Sequence, residues 1–179
     1  MSKQKSSSTI KSEEAGDFRF CDAAKAYVKE INSNQGTGKI GEQINFYWLC
    51  AQLGMVAFDD DNSMPTPPST GTEMTDEFVG KTRNHQVLMR SYLMYRYLCN
   101  LSFGIDDLDD DNAESVEKSM DSFLQTTGAH LKNRGIKEMD TFAQKGWDLL
   151  ESEGISYIKD LETFLVQYVE LLEKYASKK

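Results

Sequence analysis

Apolar residues recur along this chain at intervals of three and four, and no sustained stretch alternates apolar with polar residues, which is the pattern of helices rather than of sheet. A first helix is expected from Asp17 to Asn32 and a second from Lys39 to Gly54, where a left-handed glycine would end it. The second carries two stripes, Ile40, Ile44, Tyr47, Trp48, Ala51 and Met55 on one side and Phe46, Leu49, Cys50 and Leu53 on another, so it belongs at the centre of the fold. A third, capped by Asn84 and running to Ser102, is also apolar around much of its circumference through Val87, Leu88, Tyr92, Leu93, Tyr95, Leu98 and Cys99. A fourth shows Val116, Met120, Phe123, Leu124 and Leu131 on one face and stops at Gly135.

A fifth helix spans Ile136 to Glu153, with Met139, Phe142, Ala143, Leu149 and Leu150 on a face where Gly146 permits a close backbone approach, and Gly154 ends it. The last carries Ile158, Leu161, Leu165, Tyr168, Leu172 and Tyr175 in alternating steps of three and four, the spacing of a bundle seam, with Glu170 and Lys174 as an exposed i, i+4 pair. So short a seam favours packing within the chain, and leaves a homodimer through this helix open. All three prolines, Pro65, Pro67 and Pro68, fall in one segment, which marks a loop over residues 59–75. The expectation is an all-α fold: a polar disordered tail over 1–16, then a single helical domain over 17–179, a bundle of five to six helices.

Composition sharpens this picture in three ways. A chain of 179 residues buries about 70% of its unfolded surface and needs no disulfide or metal to hold it. The formal net charge of −9 argues against capture of nucleic acid or anionic membrane by the whole surface. Cys21, Cys50 and Cys99 are odd in number and lie in apolar helical surroundings, the setting of reduced core thiols in a cytoplasmic protein. The first sixteen residues lack the apolar core of a signal peptide, and the longest apolar region, Val87 to Ile105, is interrupted by Arg90, Arg96 and Asn100, so no membrane span is expected.

Candidate chemistry is sparse. Gly36, Gly38, Lys39 and Gly41 suggest a phosphate loop, but Ser33 stands where its opening glycine should be, Ile40 replaces the metal-binding hydroxyl, and a helix precedes it in place of a strand. A glycine turn between helices is the better reading. Asp107, Asp109 and Asp111 have the alternate spacing of the first calcium-loop ligands, yet Asn112 holds the glycine position and Lys118 that of the bidentate glutamate. Asp111 and Glu114 read instead as a helix start, where carboxylates meet the positive end of the dipole. His85 and His130 lie on different expected helices, and neither sits in a nucleophile or metal context. No catalytic residue, cofactor or metal is therefore expected.

Two charged regions remain as candidate contact surfaces. Between Glu77 and Asp106 the chain has no carboxylate but carries Lys81, Arg83, Arg90 and Arg96, with Gln86 on the face that Arg83 and Arg90 share. These arginines would first of all pair with carboxylates of neighbouring helices; a phosphate, nucleic-acid or acidic-partner contact is the second reading. Asp106, Asp107, Asp109, Asp110 and Asp111 form an acidic candidate surface for a protein partner.

Three segments, "INFYWLCAQLGM", "MTDEFVGKTRNHQVLMRSYLMYRYL" and "MDTFAQKGWDLLESEG", occur in an order that resembles the small accessory proteins encoded beside bacterial DNA phosphorothioation and related phage-defence systems. The likeness spans roughly residues 18 to 172 in layout and is carried by hydrophobic spacing and glycines. It implies a non-enzymatic accessory or adaptor role in DNA modification or restriction of unmodified DNA, acting through a protein partner, and it carries over no catalytic residue. The alternative, from the acidic composition, is an inhibitor that imitates nucleic-acid charge and occupies a DNA-binding protein. A third reading, a small enzyme built on carboxylate-bound metal, would show as metal-dependent stabilisation in a thermal melt.

Overall fold

The computed structural model describes residues 18–34, 38–58, 72–74, 91 and 133–177. Among these, the elements in chain order are β1 (Phe18–Phe20), α1 (Asp22–Ser33), α2 (Gln43–Val56), β2 (Thr72–Met74), α3 (Asn133–Ser152), a 3-10 turn (Ile155–Tyr157) and α4 (Leu161–Ala176). The described part is thus mostly helical, as its spacing requires. One short antiparallel ribbon is added, in which Phe18 faces Met74, Arg19 faces Glu73 and Phe20 faces Thr72.

That ribbon corrects two expectations. The first helix does not begin at Asp17: Phe18, Arg19 and Phe20 form a strand, buried, exposed and buried in turn, and the helix starts at Asp22. Three residues are too few to register as a sustained alternation. β2 likewise lies inside the segment read as a loop over 59–75. Of the expected Asn84–Ser102 helix only Ser91 is described, and it is helical and exposed; the fourth helix up to residue 132 lies outside the described residues.

The glycines between α1 and α2 form a turn, as expected. Gly41 has a φ of 80°, and Asn32 grips it from both sides, its amide donating to the Gly41 carbonyl at 2.8 Å and its Oδ1 accepting the Gly41 N–H at 3.2 Å. A side-chain amide that matches both backbone groups of one residue fixes the direction in which the chain enters α2.

α2 is the central helix. Ile44, Phe46, Tyr47, Cys50, Ala51, Leu53 and Met55 are all buried and take up more than half of its circumference, and Asn45, Trp48, Leu49, Gln52 and Val56 on the remaining side are half-buried. Gly54 does not end the helix, which continues to Val56; it is instead a contact point. A Cβ built on Gly54 would run into the backbone carbonyl of Phe142, and one built on Gly146 would run into that of Cys50. The absence of two side chains lets α2 and α3 cross with their backbones in contact, the approach expected of Gly146. α3 also begins earlier than expected, at Asn133, so that Gly135 is buried inside it rather than ending a preceding helix. Gly154, with φ at 74°, does end α3 as expected, its N–H donating to Glu151 O at 3.0 Å.

Around this crossing the aromatic residues form one cluster. Phe46 lies within about 6 Å, ring centre to ring centre, of Phe20, Tyr27, Trp147 and Phe164, which come from four other elements. The Tyr27 hydroxyl donates toward two carbonyls of the turn before α4, those of Ile155 and Ile158, at 3.2 and 2.5 Å. Asp160 starts α4 by accepting the Thr163 N–H at 2.8 Å and the Thr163 hydroxyl at 2.6 Å, satisfying one of the free donors of the first turn.

α4 is the helix whose buried face differs most from the expected seam. Phe164, Tyr168 and Leu171 are buried, Leu161, Leu172 and Tyr175 flank them, and Leu165 is 41% exposed. Phe164 claims the central position because its ring joins the aromatic cluster, and Leu165 is turned outward, while Ile158, Leu161, Tyr168, Leu172 and Tyr175 of the expected seam still pack on the core. The expected Glu170 and Lys174 pair does not form either: Lys174 reaches back to Glu153 at 2.7 Å, and Glu170 accepts from Gln167 at 2.9 Å.

Candidate functional site

Two features of the described residues bear on function, one inside the molecule and one on its surface. The first is a buried carboxylate. Ile136, Asp140, Ala143 and Trp147 lie at spacings of four, three and four along α3, so Asp140 stands in an apolar row and is only 3% exposed. Its Oδ1 accepts the Tyr47 hydroxyl from α2 at 2.8 Å and the Arg19 backbone N–H from β1 at 3.0 Å.

Burial pushes the Asp140 carboxyl up to about 7, against the opposing pull of the Arg19 N–H, the Tyr47 hydroxyl and the Arg19 charge. The Tyr47 hydroxyl is held well above its ordinary value, first by burial and then by Asp140. Chemically such a carboxyl could exchange a proton near neutral pH. Geometrically it is closed, because Asp140 and Tyr47 are both buried. Its work is to fasten β1 and α2 to α3.

The thiols give no second centre. Burial raises the pKa of Cys50 strongly and that of Cys21 less; the carboxylates of Glu151, Asp148 and Asp22 push Cys21 further up, while its backbone bond at Ala24 pulls it down. Both stay as thiols at neutral pH, and both are free. Lys25, largely buried on α1, is lowered by the loss of water around it.

The second feature is the outer face of α4. Residues 162, 165, 166, 169, 170 and 173 follow one another at helical spacing, and all six are exposed. They read Glu, Leu, Val, Val, Glu, Glu: an apolar middle, with Leu165 at 41%, Val166 at 57% and Val169 at 49% exposure, between acidic ends. The only cation on α4, Lys174, is held by Glu153, and Lys159 just before the helix is held by Glu30 at 3.1 Å.

The residues expected to make contacts from sequence, Lys81, Arg83, Gln86, Arg90 and Arg96, and the acidic group Asp106, Asp107, Asp109, Asp110 and Asp111, lie outside the described residues, as do His85, Cys99 and His130. Sequence reasoning passed over Asp140, whose signal was a lone carboxylate inside a four-three-four apolar row. It also set Leu165 in the buried seam of α4, where Phe164 was the residue to weigh. Among the described residues no three His, Cys, Asp or Glu side chains gather in a way that could hold a metal ion, and no helix is long and apolar enough to cross a membrane. Neither protein-family models nor curated proteins nor solved structures provide a match to this chain.

Proposed function

We propose that this protein is a cytoplasmic, non-enzymatic accessory subunit that works by contact with another protein, in a bacterial DNA-modification or anti-phage defence system. The observation that carries the contact half of this reading is the outer face of α4, where three adjacent aliphatic side chains remain in water on a helix whose other side is fully used. The buried Tyr47 and Asp140 pair supports it from the other direction, since a carboxyl poised near neutrality is spent on joining elements of the core. The defence setting rests on the family resemblance alone.

The test is purification of the tagged full chain from its native host, with and without nuclease, followed by mass spectrometry of what accompanies it. DNA-modifying or DNA-cleaving proteins that remain after nuclease treatment are the expected result. Recovery of the chain alone, or of companions that nuclease removes, would overturn the reading.

A further inference from the structure

The exposed face of α4 has an order to its charges as well as its apolar centre. Glu162 lies at one end of the run, Leu165, Val166 and Val169 in the middle, and Glu170 and Glu173 at the other end. Covering the aliphatic centre is favourable by the ordinary hydrophobic gain, but whatever covers it also brings groups up against the three carboxylates. Lys174 and Lys159 already serve Glu153 and Glu30, and no other cation stands on this helix to meet them.

A second copy of the same helix is a poor occupant. Laid antiparallel about the middle of the run, it would set Glu162 against Glu173; laid parallel, it would set each glutamate beside its own twin. Either arrangement brings like charges together where the apolar residues meet, which costs affinity and misdirects the pairing. From this charge order we infer that the outer face of α4 receives an amphipathic helix of a partner protein, with aliphatic residues at its centre and lysine or arginine on its flanks. The inference rests on the contact reading above and gives the partner a chemistry: a basic helix laid along an acidic-edged apolar face, read through positions three and four apart.

The test uses the full chain and a synthetic helical peptide of about 18 residues with leucines on one face and lysines beside them, set against the same peptide with glutamate in place of lysine. Binding is followed by fluorescence anisotropy. The lysine peptide is expected to bind and the glutamate peptide to fail. The triple substitution Leu165→Gln, Val166→Gln, Val169→Gln should weaken binding about tenfold while leaving net charge unchanged. Glu162→Gln, Glu170→Gln, Glu173→Gln should weaken it several-fold and flatten its dependence on salt.

Equal binding of the lysine peptide to the parent and to the aliphatic variant would overturn the inference, since charge alone would then explain the capture. So would a fall of about 5 °C or more in the melting temperature of that variant, which would mean that the chain itself covers the face. A parent dimer that the variant splits would overturn it in favour of a second copy. If the aliphatic variant keeps its host companions through purification, the contact reading stands and this assignment of the surface falls; if the parent has no companions, the reading itself has failed.

Discussion

The α2 and α3 pair and the α4 helix are both packed into one core, yet they meet the rest of the molecule in opposite ways. α2 and α3 touch through backbone, at Gly54 and Gly146, and leave no space for even one added carbon. α4 meets the core through the buried side chains of Phe164, Tyr168 and Leu171 and keeps an apolar flank in water. The first contact defines the distance between two helices and tolerates almost nothing; the second defines only an orientation and leaves surface to spare. On the contact reading proposed above, α4 serves the core with one side and a partner with the other, whereas α2 and α3 serve the core alone.

The sharpest way to break this contrast is Gly146→Ala. The new Cβ would press on the carbonyl, carbonyl carbon and Cα of Cys50, and backbone within a helix has no room to retreat. A loss of about 3 kcal/mol or more in chemical denaturation is expected. Gly154→Ala, at a left-handed φ of 74° with open space around the site, should cost only about 1 kcal/mol. Equal losses at the two glycines would refute a backbone-to-backbone crossing.

On α4 the comparison is between neighbours. Phe164→Ala removes a ring from the aromatic cluster and should destabilise by about 3–4 kcal/mol, whereas Val166→Ala, two residues on, should change stability by about 0.5 kcal/mol or less. Urea denaturation of both variants at one pH decides it, and a large effect at Val166 would place the buried face elsewhere.

The remaining expected effect is the one that depends on pH. Because the folded carboxyl of Asp140 titrates near 7 and its ordinary value is 3.8, the folded protein holds a proton that the unfolded chain releases over that interval. Its contribution is complete below about 4, declines as pH rises, and is gone above about 7, with a slope of at most about 1.4 kcal/mol per pH unit. Asp140→Asn keeps an oxygen for Tyr47 and Arg19 and removes the titration. The substituted protein should gain on the parent as pH rises from 5 to 8, on the order of 2 kcal/mol, measured as the difference between their denaturation free energies. Parallel pH curves would show that the carboxyl is not the buried group described.

The sequence made some of these features plain and concealed others for physical reasons. α2 was legible as the central helix because apolar residues surround it, and a helix without a wet side has nowhere else to go. The close approach at Gly146 was legible because a glycine on an apolar helical face lacks another use. Gly54 was misread as a helix end, since an interior glycine and a terminal one look alike until the partner backbone is known. β1 escaped because a run of three residues is shorter than any reliable period. The turn of α4 was hidden because Phe164 and Leu165 are neighbours, both apolar, and only the cluster around Phe46 chooses between them. For function, the chain's charge pattern proposed contact residues over 81–111, while the described surface offers α4, whose signal was its aliphatic residues in register with glutamates.

The bond from Tyr27 to the turn before α4 joins residues 128 positions apart in the chain, and Phe46 finds two of its ring neighbours beyond residue 146. During synthesis, α1 and α2 therefore emerge long before the surfaces that cover them. With elongation proceeding at about 5–20 residues per second, the first two helices wait several seconds with Tyr27, Phe46 and Tyr47 unsheltered. The core then closes only once the helices Asn133–Ser152 and Leu161–Ala176 have been made, and the nascent chain before that moment is the form of this protein most exposed to chaperones and to aggregation.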